Sequence, residues 1–332
     1  MTQTCKICSS AMSEPVSELL AMPSVTSDCR LSDMSRSVRI CSGCGVMERV
    51  VNGWYTDPYK GYNAYPEPTG RTKKILEFVK DKMPEPKSVL DLGCGQGHGM
   101  KVMKEFFPDA FVDGYEPTVQ FNRPIAKYDL ITLFHVLEHV EDLHEMLAYI
   151  KSSLTENGHV LIQVPYAAMW PFDLMIADHV WHFNKESLVK LLGQNGFQVK
   201  YADNNVLAKE ITLLAYLSDS IISLPLVADV PFNAIAWLLS FKSKLDTIDE
   251  PVMVYGSSVS AAWAGSILGD KVAMYLEDDV LRVGQKFNGK PIVSPAWVDP
   301  GQSTNKLLPV LAPFPEWQLE EIKAKNPHLT FL

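Results

Sequence analysis

The run SVLDLGCGQGHG, from Ser88 to Gly99, constrains the fold more than any other stretch of the chain. A short apolar segment that ends in glycines reads as a strand buried on both faces, the kind that fills parallel sheets. The residues from Met100 to Phe107 then read as helix. The glycines at 93, 95 and 97 therefore occupy a strand-to-helix turn at the carboxyl end of a parallel strand, where a ligand can approach the backbone closely. Asp91 is a polar group in an otherwise buried strand and requires a positive or hydrogen-bonding partner. Taken alone, the glycine spacing also suits a nicotinamide dinucleotide.

The surrounding segments continue the alternation of helix and strand. Arg71 to Met83 reads as an amphipathic helix stopped by Pro84. Ala110 to Tyr115 reads as a second strand that ends in Glu116, spaced to accept two ribose hydroxyls. Tyr128 begins a third apolar strand, which leads into the polar turn around Glu138 and His139. A helix from Leu143 to Leu154, a turn at Asn157–Gly158 and a strand from His159 to Pro165 follow. Glu186 to Asn195 reads as helix, and Phe197 to Tyr201 with Glu210 to Tyr216 as a closing antiparallel pair. This order predicts a twisted, mostly parallel sheet with helices on both faces.

Three motifs in this order, VLDLGCGQG, the acid-ended GYEP and YDLITLFHVLEHVEDL, resemble the class I S-adenosylmethionine-dependent methyltransferases, over about Arg71 to Ser218. The resemblance implies a Rossmann-like α/β core in which Asp91, Gly93, Gly95 and Gly97 surround the methionine and ribose of the cofactor. It implies Glu116 on the ribose hydroxyls, and Phe134 and His135 lining the cofactor at the end of a strand. The family places a helix and an edge strand where this chain has only the ten residues from Thr118 to Lys127. At about 1.5 Å of rise per helical residue and about 3.3 Å per strand residue, ten residues cannot supply both, so that edge strand is expected to be missing or vestigial.

Four of the six cysteines form two CxxC pairs, Cys5 with Cys8 and Cys41 with Cys44. Each pair puts two thiolates on one tight turn, and two such turns make a tetrahedral sulfur site that suits structural zinc. Cys29 could replace one ligand, and a redox pair or free thiols are the alternatives. Tyr55, Tyr59, Tyr62 and Tyr65 then sit among Gly, Pro and Asn, as a surface connector or as a lid over an active site.

A chain of 332 residues exceeds the usual size of one hydrophobic core. A net charge of −9 without a basic run makes nucleic acid an improbable partner and argues against an RNA methyltransferase. The first fifteen residues lack the pattern of a secretory signal, so a cytoplasmic address is expected. The apolar stretch from Val206 to Phe241 is interrupted by charges and prolines and reads as buried helix and strand, with no membrane partner.

Methyl transfer from a sulfonium requires an acceptor held in line and its proton removed. Asp178 and His179, with His182 nearby, follow a strand's carboxyl end. His179 suits a general base, and its alternative is support of the fold, with Asn184 as a helix cap. In the C-terminal third, a strand from Pro251, a helix from Val259 to Leu268 and a strand from Lys271 form a second βαβ-like opening, continued by the runs Pro291–Pro295 and Asn305–Leu311. The whole arrangement resembles sugar C-methyltransferases. That implies a zinc segment and Tyr-rich lid over 1–70, a methyltransferase core over 71–218, a helical arm over 219–250 and a smaller Rossmann-like α/β domain over 251–332. It also implies His179 as base with Asp178 beside it, and Tyr62 or Tyr65 as lid contacts. The chain has Asp178 where that family tends to have Glu, and Ala177 and His182 where it tends to have His and Tyr. The expected reaction is methylation of a nucleotide-linked keto-sugar at carbon. Transfer to oxygen or nitrogen of another small molecule or polysaccharide precursor, and a non-catalytic scaffold, are the alternatives.

Overall fold

The structure is a computed structural model that describes residues 3–32, 37–50, 69–117, 122–207, 209–221, 232–298, 310–311 and 316–332. Two short antiparallel pairs come first, β1 (Ser24–Val25) with β2 (Leu31–Ser32) and β3 (Ser37–Ile40) with β4 (Met47–Val50). Alternation then sets in: α1 (Thr69–Val79), β5 (Ser88–Leu92), α2 (His98–Phe106), β6 (Phe111–Tyr115), β7 (Tyr128–Phe134), α3 (Leu143–Ser153) and β8 (Leu154–Pro165). After β9 (Trp181–His182) come α4 (Lys185–Gln194), β10 (Phe197–Asp203) and β11 (Glu210–Leu217).

Six of these strands form one sheet in the order β10-β11-β8-β7-β5-β6. The pairs among β6, β5, β7 and β8 are parallel, and β11 and β10 close the sheet antiparallel. Successive residues of a strand face opposite ways. Accordingly Val89, Leu130, Leu161 and Leu214 pack with Ile75, Leu76 and Val79 of α1 and Met103 of α2. Their neighbours Leu90, Ile131, Val160, Ile162 and Leu213 pack with Leu143, Leu147 and Ile150 of α3 and Leu188, Leu191 and Leu192 of α4. Helices thus cover both faces, as the alternation predicts, and the unit is the Rossmann-like α/β core that the resemblance implies. Each such buried aliphatic side chain contributes about 1.5–3 kcal/mol, which is why the apolar pattern dictates the layering.

Two local departures have physical causes. The helix expected to reach Met83 is α-helical only to Val79 and tightens into a 3₁₀ turn over Lys80–Lys82, ahead of Pro84. At Asn157–Gly158 the expected turn lies inside β8: Tyr128 pairs with Leu154 and Leu130 with His159, so four residues of β8 stand opposite Asp129 alone. Among the described residues no strand lies between β6 and β7, and β6 is an edge of the sheet.

The chain divides into two units. Met1–Val16, Ser37–Met169 and His179–Pro231 form the first, Ser17–Arg36, Trp170–Asp178 and Phe232–Leu332 the second. In the first unit the knuckle residues Cys5, Ile7, Met12, Cys41, Cys44 and Val46 share the core of α3 and α4, and β9 extends the β3–β4 hairpin. Asn184 caps α4 through a reciprocal pair of bonds with Ser187, and its amide donates to Cys44 O (2.9 Å).

The second unit contains α5 (Phe232–Asp246), β12 (Val252–Tyr255), α6 (Val259–Leu268), β13 (Val272–Leu276), β14 (Lys286–Phe287), β15 (Lys290–Val293), β16 (Val310–Leu311) and α7 (Glu316–Lys325). Its sheet has the order β14-β15-β13-β12-β16, parallel except for β14. The βαβ opening expected near Pro251 is β12–α6–β13. A cluster of Phe172, Trp237, Phe241 and Trp263 packs α5 against α6.

Candidate active site

The carboxyl ends of β5, β6, β7 and β8 bring the residues marked in the sequence to one edge of the first unit's sheet. Gly93, Gly95 and Gly97 have φ of 85°, 51° and 80°, a left-handed conformation that disfavours any side chain. Gly93 N–H donates to Tyr115 O (2.7 Å), which binds the turn to the end of β6. A Cβ at Gly93 would stand 2.4 Å from Val136 Cγ2, so the turn also abuts the loop that follows β7.

Two carboxylates face this turn. Asp91 is buried, and its Oδ1 accepts from the Thr132 hydroxyl of β7 (2.7 Å); its Oδ2 lies against the first turn of α2, 3.1 Å from where a Gly99 Cβ would be. Thr132 is therefore one hydrogen-bonding partner of the buried Asp91. Glu116 is buried too, and its Oε2 accepts from Gly95 N–H (3.0 Å). Burial, with the charges of Asp91 and Glu116, pushes the Cys94 thiol up to about 11. The field at the turn is negative, which favours a cationic ligand.

Beyond β7 a second group assembles. Phe134 packs on the α1–α2 side of the sheet, and His135 adopts φ of 55°. The His135 ring stands between acids, Nδ1 at 3.1 Å from Glu138 Oε1 and Nε2 at 3.4 Å from Glu210 Oε1. Arg71 Nη2 contacts the same ring, donates to Glu210 Oε2 (2.6 Å) and donates to Gln163 Oε1 (3.1 Å). Glu138 is fully buried, and donor atoms of Glu138, His139 and His179 lie within 4.8 Å of one another. The His139 and His179 rings meet edge to face at 4.7 Å, and the His182 ring is 6.2 Å from that of His179.

His135 is expected from the sequence to line the cofactor and His139 to stand in the polar turn after β7, whereas Arg71, Gln163 and Glu210 carry no sequence signal for the site. One signal was available: His135, Glu138 and His139 stand three and one residues apart, in reach of one another on a single turn. The others come from the ends of α1, β8 and β11, which only the fold brings together.

Asp178, expected beside His179, belongs to the second unit. There its Oδ1 accepts from Ser27 N–H (2.9 Å) and its Oδ2 from Ser27 Oγ (2.5 Å). Tyr62 and Tyr65 lie outside the described residues.

The four CxxC sulfurs converge. Cys5 Sγ is 3.8 Å from Cys44 Sγ and Cys8 Sγ is 3.3 Å from Cys41 Sγ, and none of the four is in a disulfide. Tetrahedral zinc with bonds of about 2.3 Å holds its sulfurs about 3.8 Å apart, so the donor set fits. Backbone N–H groups of Ile7, Gly43 and Cys44 point at these sulfurs, as thiolates require. The Cys44 thiol beside it holds Cys5 down to about 5. Cys29 is in the second unit.

Residues 42–202 match the family model of a methyltransferase domain. Among solved structures, human N-acetylserotonin methyltransferase in complex with SAM is 17% identical, the likeness covering 45% of this chain and 52% of that one with a TM-score of 0.37. Mitomycin 7-O-methyltransferase is 14% identical, covering 45% and 54%, with a TM-score of 0.38. A methyltransferase of calicheamicin biosynthesis in its SAH-bound form is 16% identical, covering 45% and 54%, with a TM-score of 0.37. This chain spans little more than half the length of the solved structures that it resembles. No curated protein matches it. No helix among the described residues is long and apolar enough to cross a membrane.

Proposed function

We propose that this chain, which carries a methyltransferase domain, takes its methyl group from S-adenosylmethionine and passes it to a nucleotide-linked sugar, with structural zinc on Cys5, Cys8, Cys41 and Cys44. The observation that carries the cofactor is the meeting of the Gly93–Gly97 turn with Asp91 and Glu116: a backbone open to close approach beside two buried carboxylates. Glu116 can accept from ribose hydroxyls, and the negative field complements a sulfonium. Bound there, the cofactor supplies the methyl group in a single in-line displacement.

The remaining work belongs to the chain: orienting the acceptor and governing its proton. His179 is assigned that task, supported by its closeness to Glu138 and His139. Asp178, the residue before His179, is itself held by Ser27, and Tyr62 and Tyr65 are assigned to the lid. Phe134 and His135 would flank the cofactor. For a keto-sugar, the proton lost lies beside the carbonyl and the methyl group goes to carbon. Transfer to a hydroxyl is the second reading, favoured by a buried carboxylate–imidazole group next to the turn. The zinc is structural, since protein fills all four positions.

Calorimetric titration with S-adenosylmethionine, followed by turnover of methyl-labelled cofactor against a panel of keto- and hydroxy-sugar nucleotides, tests both halves. Saturable binding and labelled sugar are expected. Absence of binding at millimolar cofactor overturns the cofactor assignment in favour of a scaffold; binding with no sugar labelled overturns the acceptor.

A further inference from the structure

We infer that Glu138, His139 and His179 form a site for a divalent transition-metal ion beside the cofactor turn, separate from the four cysteines. Their donor atoms lie within 4.8 Å of one another. An ion bonded to imidazole nitrogen and carboxylate oxygen at about 2.0–2.2 Å holds its donors roughly 3–4 Å apart, so side-chain shifts of about an ångström close the set. Two imidazoles and one carboxylate suit manganese, iron, cobalt or zinc and leave positions open for water or an acceptor oxygen.

The surroundings support such a site. Glu138 is completely buried, and a buried carboxylate is costly unless cations stand against it. His135 Nδ1, 3.1 Å from Glu138 Oε1, holds the place of an outer partner that orients a ligating carboxylate. Behind it Arg71, Gln163 and Glu210 fix the His135 ring in turn. The two segments that bear the donors are also tied to each other: Val180 N–H donates to Glu138 O (2.8 Å) and the Trp181 indole to Val140 O (2.7 Å). Arg49 N–H donates to Val180 O (2.9 Å), which pins the same strand to the hairpin. Donors on segments locked in this way are preorganised for an ion.

For its chemistry, though not for its binding, the inference rests on the second reading of the proposed function, transfer to a hydroxyl. With a hydroxyl acceptor on an open position, the O–H bond breaks and the proton passes to water, while the electron pair stays on oxygen beside the ion. That oxygen forms the new bond to the methyl carbon as the methyl–sulfur bond breaks, and sulfur keeps the pair as a neutral thioether. His179 then governs the acceptor's proton as a ligand of the ion.

Titrating zinc-loaded protein with Co²⁺, by calorimetry and absorption, tests the site. About one further ion per chain is expected, with weak ligand-field bands and no sulfur-to-cobalt charge-transfer band, because the donors are nitrogen and oxygen. Glu138→Gln and His139→Asn are each expected to weaken it by about tenfold or more. Unchanged Co²⁺ affinity in both variants, or no second ion in the wild type, overturns the inference. Cofactor titration of the same samples reports whether the variants are folded. His139→Asn, at a half-buried position, carries the test if Glu138→Gln does not fold. Wild type that binds Co²⁺ and no S-adenosylmethionine overturns the proposed function and leaves the ion site standing.

Discussion

At the scale of single residues, Gly93 has the least freedom to change. A side chain there meets both a left-handed backbone, φ 85°, and Val136 at 2.4 Å. Gly93→Ala is expected to cost about 1–3 kcal/mol in urea unfolding and to abolish cofactor binding. Adding Val136→Ala should return only the packing part, because the backbone cost remains. Cys94 reports the charge of the same turn: with its thiol pushed up to about 11 by burial and by Asp91 and Glu116, alkylation at neutral pH should be slow. Glu116→Gln removes one of those charges and should bring labelling to lower pH; an unchanged profile means that the carboxylate does not face the thiol. The turn, Asp91 and Glu116 were legible because strand, glycine spacing and acid lie close together in sequence. Arg71 and Glu210, 139 residues apart and joined at 2.6 Å, were not, since no local pattern marks a pairing made by the ends of distant elements.

Elements were read through periodicity and stops, and their irregularities were not. The order of strands and helices followed from apolar patterning, and α6 was expected over the very residues it occupies, Val259–Leu268. The looped-out stretch of β8 escaped, because a turn signal such as Asn157–Gly158 does not say whether the chain reverses or only bulges. Asp129, opposite that bulge, holds three strands at the end of the sheet remote from the site, accepting from Lys87 N–H, Ser88 and Thr155. Burial alone would raise its carboxyl, and these bonds outweigh burial and hold it below the ordinary value. Because the folded value is the lower one, the stabilisation is complete above the unfolded value of about 4 and is lost as pH falls through the folded value. Asp129→Asn should therefore flatten the acid limb of the stability curve below about pH 4, at a cost of roughly 1 kcal/mol at neutral pH. Asn184→Ala removes the cap of α4 and the bond to Cys44 together, and a loss of about 1–2 kcal/mol in denaturant unfolding is expected.

For the whole molecule, metal analysis is expected to find about one zinc per chain fewer after Cys41→Ser with Cys44→Ser than in the wild type. One disulfide within each CxxC pair and no metal would sink that assignment. The two units also repeat a device. In the first, Glu116 at the end of β6 accepts from Gly95 N–H in the turn after β5; in the second, Glu277 at the end of β13 accepts from Ser257 N–H in the turn after β12, each at 3.0 Å. Alternating strand and helix made both openings legible. What patterning could not convey is that the second unit begins at Ser17, inside the loop between the two CxxC pairs, and resumes only at Trp170 and Phe232. This discontinuity has a consequence during synthesis. At roughly 5–20 residues per second, the segment that ends at Arg36 leaves the ribosome on the order of ten seconds or more before Phe232 follows it. Throughout that interval its apolar residues Leu19, Met22 and Val25, all buried in the finished protein, have no partners from the C-terminal third. Nascent chains are thus exposed to chaperones and proteases at this early segment until the C-terminal third is made.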